Sequence, residues 1–136
     1  MIVFCYEPPL PEKSPVSPTA FLQTITMKDE GRTLGVARWH SPPDPTAGLV
    51  QVLDLTILPP HQRVGHGKRL LEEVMAQGRE WQRRRGSKLR RVWVGIEQKS
   101  QVIARAFLTS RGFHHIATVD ELYRDQELMV YVKSMD

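Results

Sequence analysis

The chain has 136 residues, 40% apolar and 25% charged, with a formal net charge of +4; this is the composition of an ordinary globule with length enough for a core, and a single domain over residues 1–136 is expected. Cys5 is the only cysteine, which excludes an intrachain disulfide and a cysteine-built zinc site. No apolar run approaches the roughly 18 residues of a spanning helix, and residues 1–7 carry no basic leader, so the expectation is a cytoplasmic protein with no membrane contact.

The opening "MIVFCYE" is rich in strand formers and predicts a first strand. Residues 8–18 hold five prolines, which rules out helix or central strand, and 8–19 reads as an extended proline-rich connector. "AFLQTITMKDEGRTLGVARWH" predicts two strands joined by a turn at Asp29 to Arg32. Beyond the loop "SPPDPTAG", the stretch "LVQVLDLTIL" predicts a fourth strand, apolar enough to be central and buried on both faces.

Next come "PPHQRVGHGK" and a helical pattern. Leu70, Leu71, Val74, Met75, Gly78 and Trp81 form the 3.6-residue stripe of a helix lying on a sheet. "LRRVWVGIE" predicts a fifth strand. "SQVIARAFLTSRGF" predicts a second helix, capped by Ser100 and ended by Gly112. The tail "HHIATVDELYRDQELMVYVKS" reads as a sixth strand, an irregular loop and a seventh strand. The order β-β-β-β-α-β-α-β-β defines an α/β (α+β) chain with a mixed sheet.

Charge is unevenly spread. Between Arg63 and Arg91 ten lysines and arginines stand against three glutamates, a balance that suits an anionic ligand or partner. The bland reading of the "RRR" run at 83–85 is a solvated helix end. Gly65 and Gly67 are costly where a helix is starting, since glycine loses about 1 kcal/mol to alanine there. What they offer is approach: a helix start has unpartnered amides and a partial positive charge, and bare glycines let an anion reach them. The phosphate-loop spacing G-x-x-x-x-G-K-[ST] is not met, and the dinucleotide pattern G-x-G-x-x-G fails at Leu70.

"QRVGHG", Gln62 to Gly67, resembles the Q/R-x-x-G-x-G/A signature of the GNAT superfamily of N-acetyltransferases. Ile57-Leu58-Pro59 just before it resembles that family's V-x-P strand exit. Gln101, Ala104, Leu108, Gly112 and Phe113 fall in register with its N-x-x-A-x-x-x-Y-x-x-x-G-F block. The resemblance spans roughly residues 20–135. It implies a GNAT-like mixed sheet, splayed between its fourth and fifth strands, with helices packed on it and acetyl-CoA as co-substrate in the gap. It implies that the backbone of Leu55, Thr56 and Ile57 holds the pantetheine arm. The amides of Arg63, Val64, Gly65, His66, Gly67 and Lys68 would take the diphosphate, and Gln101 would bond the cofactor with its amide.

The sequence departs from the family pattern in three places. Gln101 replaces the usual asparagine. Leu108 stands where a tyrosine often protonates the departing thiolate; a general acid contributes about 10²- to 10⁴-fold, so transfer can survive without one. The interval between the first two strands is too short and too proline-laden for both helices that usually wall the acceptor site, so the N-terminal helical region is reduced. An open acceptor side, or completion by a second copy as a homodimer, follows. A base is also needed, because an amine of pKa about 10 arrives protonated. Glu97 is the first candidate and Asp54 the second, with a salt-bridged or solvated carboxylate as the plain alternative for each. Tyr123 and Tyr131 are other sources of a hydroxyl.

The implied activity is N-acetyl transfer from acetyl-CoA to an amine, of a small molecule or a protein, by direct attack in a ternary complex. The first alternative is a non-catalytic acetyl-CoA or CoA sensor on the same fold. Nucleic-acid binding through the basic run ranks third, for want of a recognised motif or interleaved aromatics. No metal site is expected: His114 and His115 point to opposite faces of a strand, and His40, His61 and His66 lie in loops or turns. Trp39, Trp81 and Trp93 read as packing residues.

Overall fold

A computed structural model describes residues 1–12, 20–44, 46–59, 65–97, 102–123 and 126–135, the side chains of 97, 102, 103, 120–123 and 126 excepted. Strands β1 (Ile2–Glu7), β2 (Phe21–Asp29), β3 (Arg32–Ser41) and β4 (Leu49–Ile57) are followed by helix α1 (His66–Arg84) and β5 (Arg91–Glu97). Helix α2 (Val102–Ser110), β6 (His114–Tyr123) and β7 (Gln126–Ser134) complete the chain. The strands form one sheet in the order β1-β2-β3-β4-β5-β7-β6. Among the described residues only β4 and β5 pair in parallel; every other neighbouring pair is antiparallel.

Topology fixes where the helices go. The connections β4-α1-β5 and β5-α2-β6 advance the same way across the sheet, and right-handed crossovers of that kind place both helices on one face. In agreement, the Phe107 ring of α2 lies 3.6 Å from where a Cβ would stand on Gly67 of α1. The stripe expected for α1 is buried in full, with Gln82 added to it. Gly78 is part of that fit, because a Cβ there would stand 2.8 Å from Val50 Cγ2.

The core lies between this helical layer and the sheet. Phe21 stacks on Trp81 with centroids 4.3 Å apart and tilts against Trp39 at 5.4 Å. Trp39 Nε1 donates to Gln23 Oε1 (2.8 Å), and Gln23 Nε2 in turn donates to the Pro8 carbonyl (3.1 Å) and to Gln77 Oε1 (3.0 Å). A buried polar chain thus ties the start of the connector to the core, with its groups satisfied as burial requires. Tyr6 donates to Glu73, tying β1 to α1. Residues 13–19 of the connector lie outside the described residues.

Three expectations change on contact with the structure. The fourth strand is central but buried on one face alone: Val50 and Val52 are covered, while Leu53 is 43% exposed. The cause is the helices' shared side, since among the described residues no helix covers the opposite face. The irregular loop before the last strand is instead mostly strand, with β6 running to Tyr123 through register shifts between His115 and Ala117 and between Val119 and Tyr123. The arginine run is more than a solvated helix end. Arg84 Nη1 donates to the Pro11 carbonyl (2.6 Å), and Arg85 lies over Trp81 while donating to the Pro43 carbonyl (2.6 Å). At the end of α2, Gly112 has φ +89°, and the Phe113 amide donates to the Leu108 carbonyl (3.0 Å), the left-handed stop expected of that glycine.

Candidate functional site

The site begins where two strands part. The parallel register of β4 and β5 runs from Leu49↔Arg91 to Val52↔Val94 and ends there. Beyond it β4 continues along β3 to Ile57, and β5 continues along β7 to Glu97. The parting coincides with a β-bulge: Trp39 pairs with Val52 and Arg38 with Asp54, so Leu53 is an extra residue on β4. An extra residue reverses the alternation of everything after it. Val50 and Val52 face the helices; past the bulge Leu55 shares that face with buried Ala37, and Asp54 and Thr56 turn to the bare face.

The gap is a cleft of about 510 Å³. Its β4 wall is Val52 to Thr56 and its β5 wall is Val94, Gly95 and Ile96. On the helical side it is floored by Leu71, Ala104, Phe107 and Leu108, all apolar. Of the residues implied to hold pantetheine, Leu55 and Thr56 line it. Ile57 lies just past, with its side chain 3.9 Å from the Cβ position of Gly67, under the first turn of α1.

That first turn has no filling of its own. Gly65 is the N-cap with φ +83°, a conformation glycine adopts freely, and among the described residues no side chain caps the helix. A Cβ on Gly65 would meet no described atom within 4 Å. The first intrahelical bond is Arg69 N–H to Gly65 C=O (3.2 Å), so the amides of His66, Gly67 and Lys68 precede the ladder and have no partner among the described residues. The first turn holds no acidic residue, and His66 Nδ1 is buried without a partner among the described residues. An uncapped helix start beside a cleft fits an anionic group of a bound molecule, with the helix dipole and Lys68 favouring negative charge. Arg63, Val64 and Gln101, three of the expected cofactor contacts, lie outside the described residues.

The two candidate bases separate. Asp54 lines the cleft and is ion-paired: Arg38 donates to its Oδ2 from Nη2 (2.8 Å) and from Nε (3.2 Å). Glu97 pairs with Leu128 past the parting point, but its side chain lies outside the described residues. Leu108 is in the cleft floor and nearly buried. Tyr131 is nearly buried on β7 opposite Val94, its ring 5.4 Å from that of His115; the side chain of Tyr123 is not described.

Sequence reading missed Arg38, Phe107 and the bulge. A signal for the bulge was present: in "LVQVLDLTIL" the apolar phase runs on even positions through Val52 and on odd positions from Leu53. Nothing comparable marks Arg38, whose role comes from register alone.

Comparison with known proteins follows the same lines. The profile of the family described as "Acetyltransferase (GNAT) family" matches residues 4–113. Among solved structures, a GNAT-family protein of Desulfovibrio desulfuricans superposes with a TM-score of 0.71 at 21% identity, over 83% of this chain and 69% of that one. The ribosomal-protein-alanine N-acetyltransferase of Brucella melitensis gives 0.66 at 21%, over 84% and 69%. A Bacillus subtilis acetyltransferase in complex with CoA gives 0.67 at 11%, over 85% and 78%. No curated protein sequence matches.

Proposed function

This chain belongs to the acetyltransferase (GNAT) family, and we propose that within it the protein is an acetyl-CoA-dependent N-acetyltransferase acting on an amine. The observation that carries the reading is the parting of β4 and β5 after Val52↔Val94, which opens a cleft that reaches Leu71 of α1, with Ile57 linking it to the first turn of that helix. The amides of His66, Gly67 and Lys68 suit a diphosphate, and the edges at Leu55 and Thr56 suit an amide-bearing arm. The Bacillus subtilis neighbour holds CoA, which supports the same ligand here.

Acetyl-CoA supplies an activated acyl carbon. The protein's part is to hold the amine against it, and proximity is the main resource. Asp54, on the rim of the cleft, accepts the proton that the ammonium must shed. The amine nitrogen then bonds to the carbonyl carbon as the carbon–sulfur bond breaks, and its second proton leaves to water. With Leu108 in the floor, the departing sulfur takes its proton from water, which a thiol of pKa about 8.5 tolerates.

Leu108 also supports a second reading, a CoA sensor that does not turn over. Two measurements separate the readings. Thermal unfolding with acetyl-CoA, CoA and ATP tests the site: a ligand at about 100 times its Kd adds about 2.7 kcal/mol, several degrees in Tm. Shifts with acetyl-CoA and CoA but not ATP are expected, and no shift at millimolar ligand sinks the reading. Amine-dependent release of free thiol then distinguishes an enzyme from a sensor.

A further inference from the structure

Resting on the acyl-transfer reading above, we propose that the acceptor is a free amino acid, or another amine with a carboxylate two or three bonds from its nitrogen, and that Arg38 selects it. On the helical side the described lining, Leu71, Phe107 and Leu108, is apolar and gives a polar acceptor no partner. Approach is therefore from the bare face, and the bulge at Leu53 is what turns Asp54 toward that face.

There Asp54 meets Arg38. Both Arg38 contacts fall on a single oxygen, Oδ2, so Asp54 Oδ1 and Arg38 Nη1 have no partner among the described residues. Each side chain is 48% exposed. A pair this wet contributes little to the fold and is readily rearranged. A carboxylate and a guanidinium held 2.8 Å apart at a cleft rim are the mirror of an α-amino acid, which carries an ammonium and a carboxylate at similar spacing. Alongside the pair, the ammonium bonds Asp54 and the carboxylate bonds Arg38, both as charge-assisted hydrogen bonds. The nitrogen is thereby held on Asp54, a residue that lines the cleft. An amine without a carboxylate must instead displace Arg38 from Asp54 and leaves the guanidinium unused.

The test is a panel of the twenty free amino acids, their α-amides, the matching decarboxylated amines and alanine-initiated tripeptides, with thiol release as readout. A parallel arm titrates the best amino acid calorimetrically into CoA-saturated protein. The best free amino acid is expected to exceed its amide by about 10- to 100-fold in kcat/KM, mainly through KM, the range of a charged hydrogen bond. Arg38→Gln is expected to erase that preference and Arg38→Lys to restore part of it, while the CoA-induced melting shift stays intact in both. Equal rates on amides or tripeptides, or a preference that survives Arg38→Gln, overturns the Arg38 proposal and leaves the transferase reading standing. Absence of any CoA shift overturns both, and the CoA arm tells the two failures apart.

Discussion

The two halves of β4 are one strand with two purposes. Leu49 to Val52 pairs with β5, its Gln51 and Val52 with β3 as well, and Val50 and Val52 are buried, Val50 against Gly78 of α1. Leu53 to Ile57 keeps β3 but has parted from β5, and its side chains swap faces at one inserted residue. The first half stabilises the sheet as any central strand does. The second half gives up one ladder of hydrogen bonds, leaving strand edges that a ligand with amide groups can take. The difference teaches that the site is made by a defect in pairing, placed where the helix start is also left unfilled.

The contrast breaks most visibly at Trp39, the partner of Val52. It is fully buried and its indole donates to Gln23. Trp39→Ala should lose about 3–5 kcal/mol, from both the cavity and the orphaned amide. Leu53→Ala, one residue on, should lose less than about 1 kcal/mol, as exposed positions do. Urea unfolding measures both, and similar losses would mean that the two halves of β4 are not distinct.

Next in size is the helix start. Gly65→Ala and Gly65→Glu share the same left-handed strain, about 1–2 kcal/mol of stability each, and neither Cβ meets a described atom. Any further difference between them reports charge at the ligand position. Gly65→Glu should weaken acetyl-CoA by about 100-fold relative to Gly65→Ala, because like charges brought together cost several kcal/mol. Equal affinities in the two variants would remove the anion from this end of α1.

How much of this was legible beforehand follows from the same residues. The stripe from Leu70 to Trp81 was readable because a helix on a sheet writes its contacts every three or four residues. Gly65 and Gly67 were readable because glycine at a helix start is expensive without a reason. The one-sided burial of β4 was misread: apolarity says that a side chain can be covered, and topology decides whether anything covers it. The pairing of Arg38 with Asp54 needed register, which a one-residue bulge resets. The grip of Arg84 on the connector was hidden for a different reason, since a run of arginines looks alike whether it meets water or carbonyls.

A smaller effect is expected at Leu108, on the cleft floor. Leu108→Tyr places a hydroxyl where the family often has one. Thiol release should rise about 10-fold or more if proton supply to sulfur limits the rate, at about 1–3 kcal/mol of stability for overfilling a nearly closed position. A rate that does not rise, in a variant that still binds CoA, means that water already serves the departing sulfur.

The smallest effect lies at the other end of α1, remote from the split half of β4. Glu80 accepts from Arg83 and from Arg84, and Arg84 also holds the Pro11 carbonyl. The hydrogen bond from Arg83, then that from Arg84, draws the Glu80 carboxyl down from 4.5 to about 2. A carboxylate stabilised in this way contributes above its unfolded pKa and loses that contribution as the pH falls through its folded one. The advantage of the parent over Glu80→Gln should therefore be full at pH 7, shrink between about pH 4.5 and 2, and vanish below. Because the pair is wet, the full difference in Tm should be only about one or two degrees and should decline with salt. Acetyl-CoA affinity should not change at any pH in that series. A Tm difference that persists at pH 2 would assign the role of Glu80 to packing rather than charge, and a change in affinity would mean that the two ends of α1 are coupled.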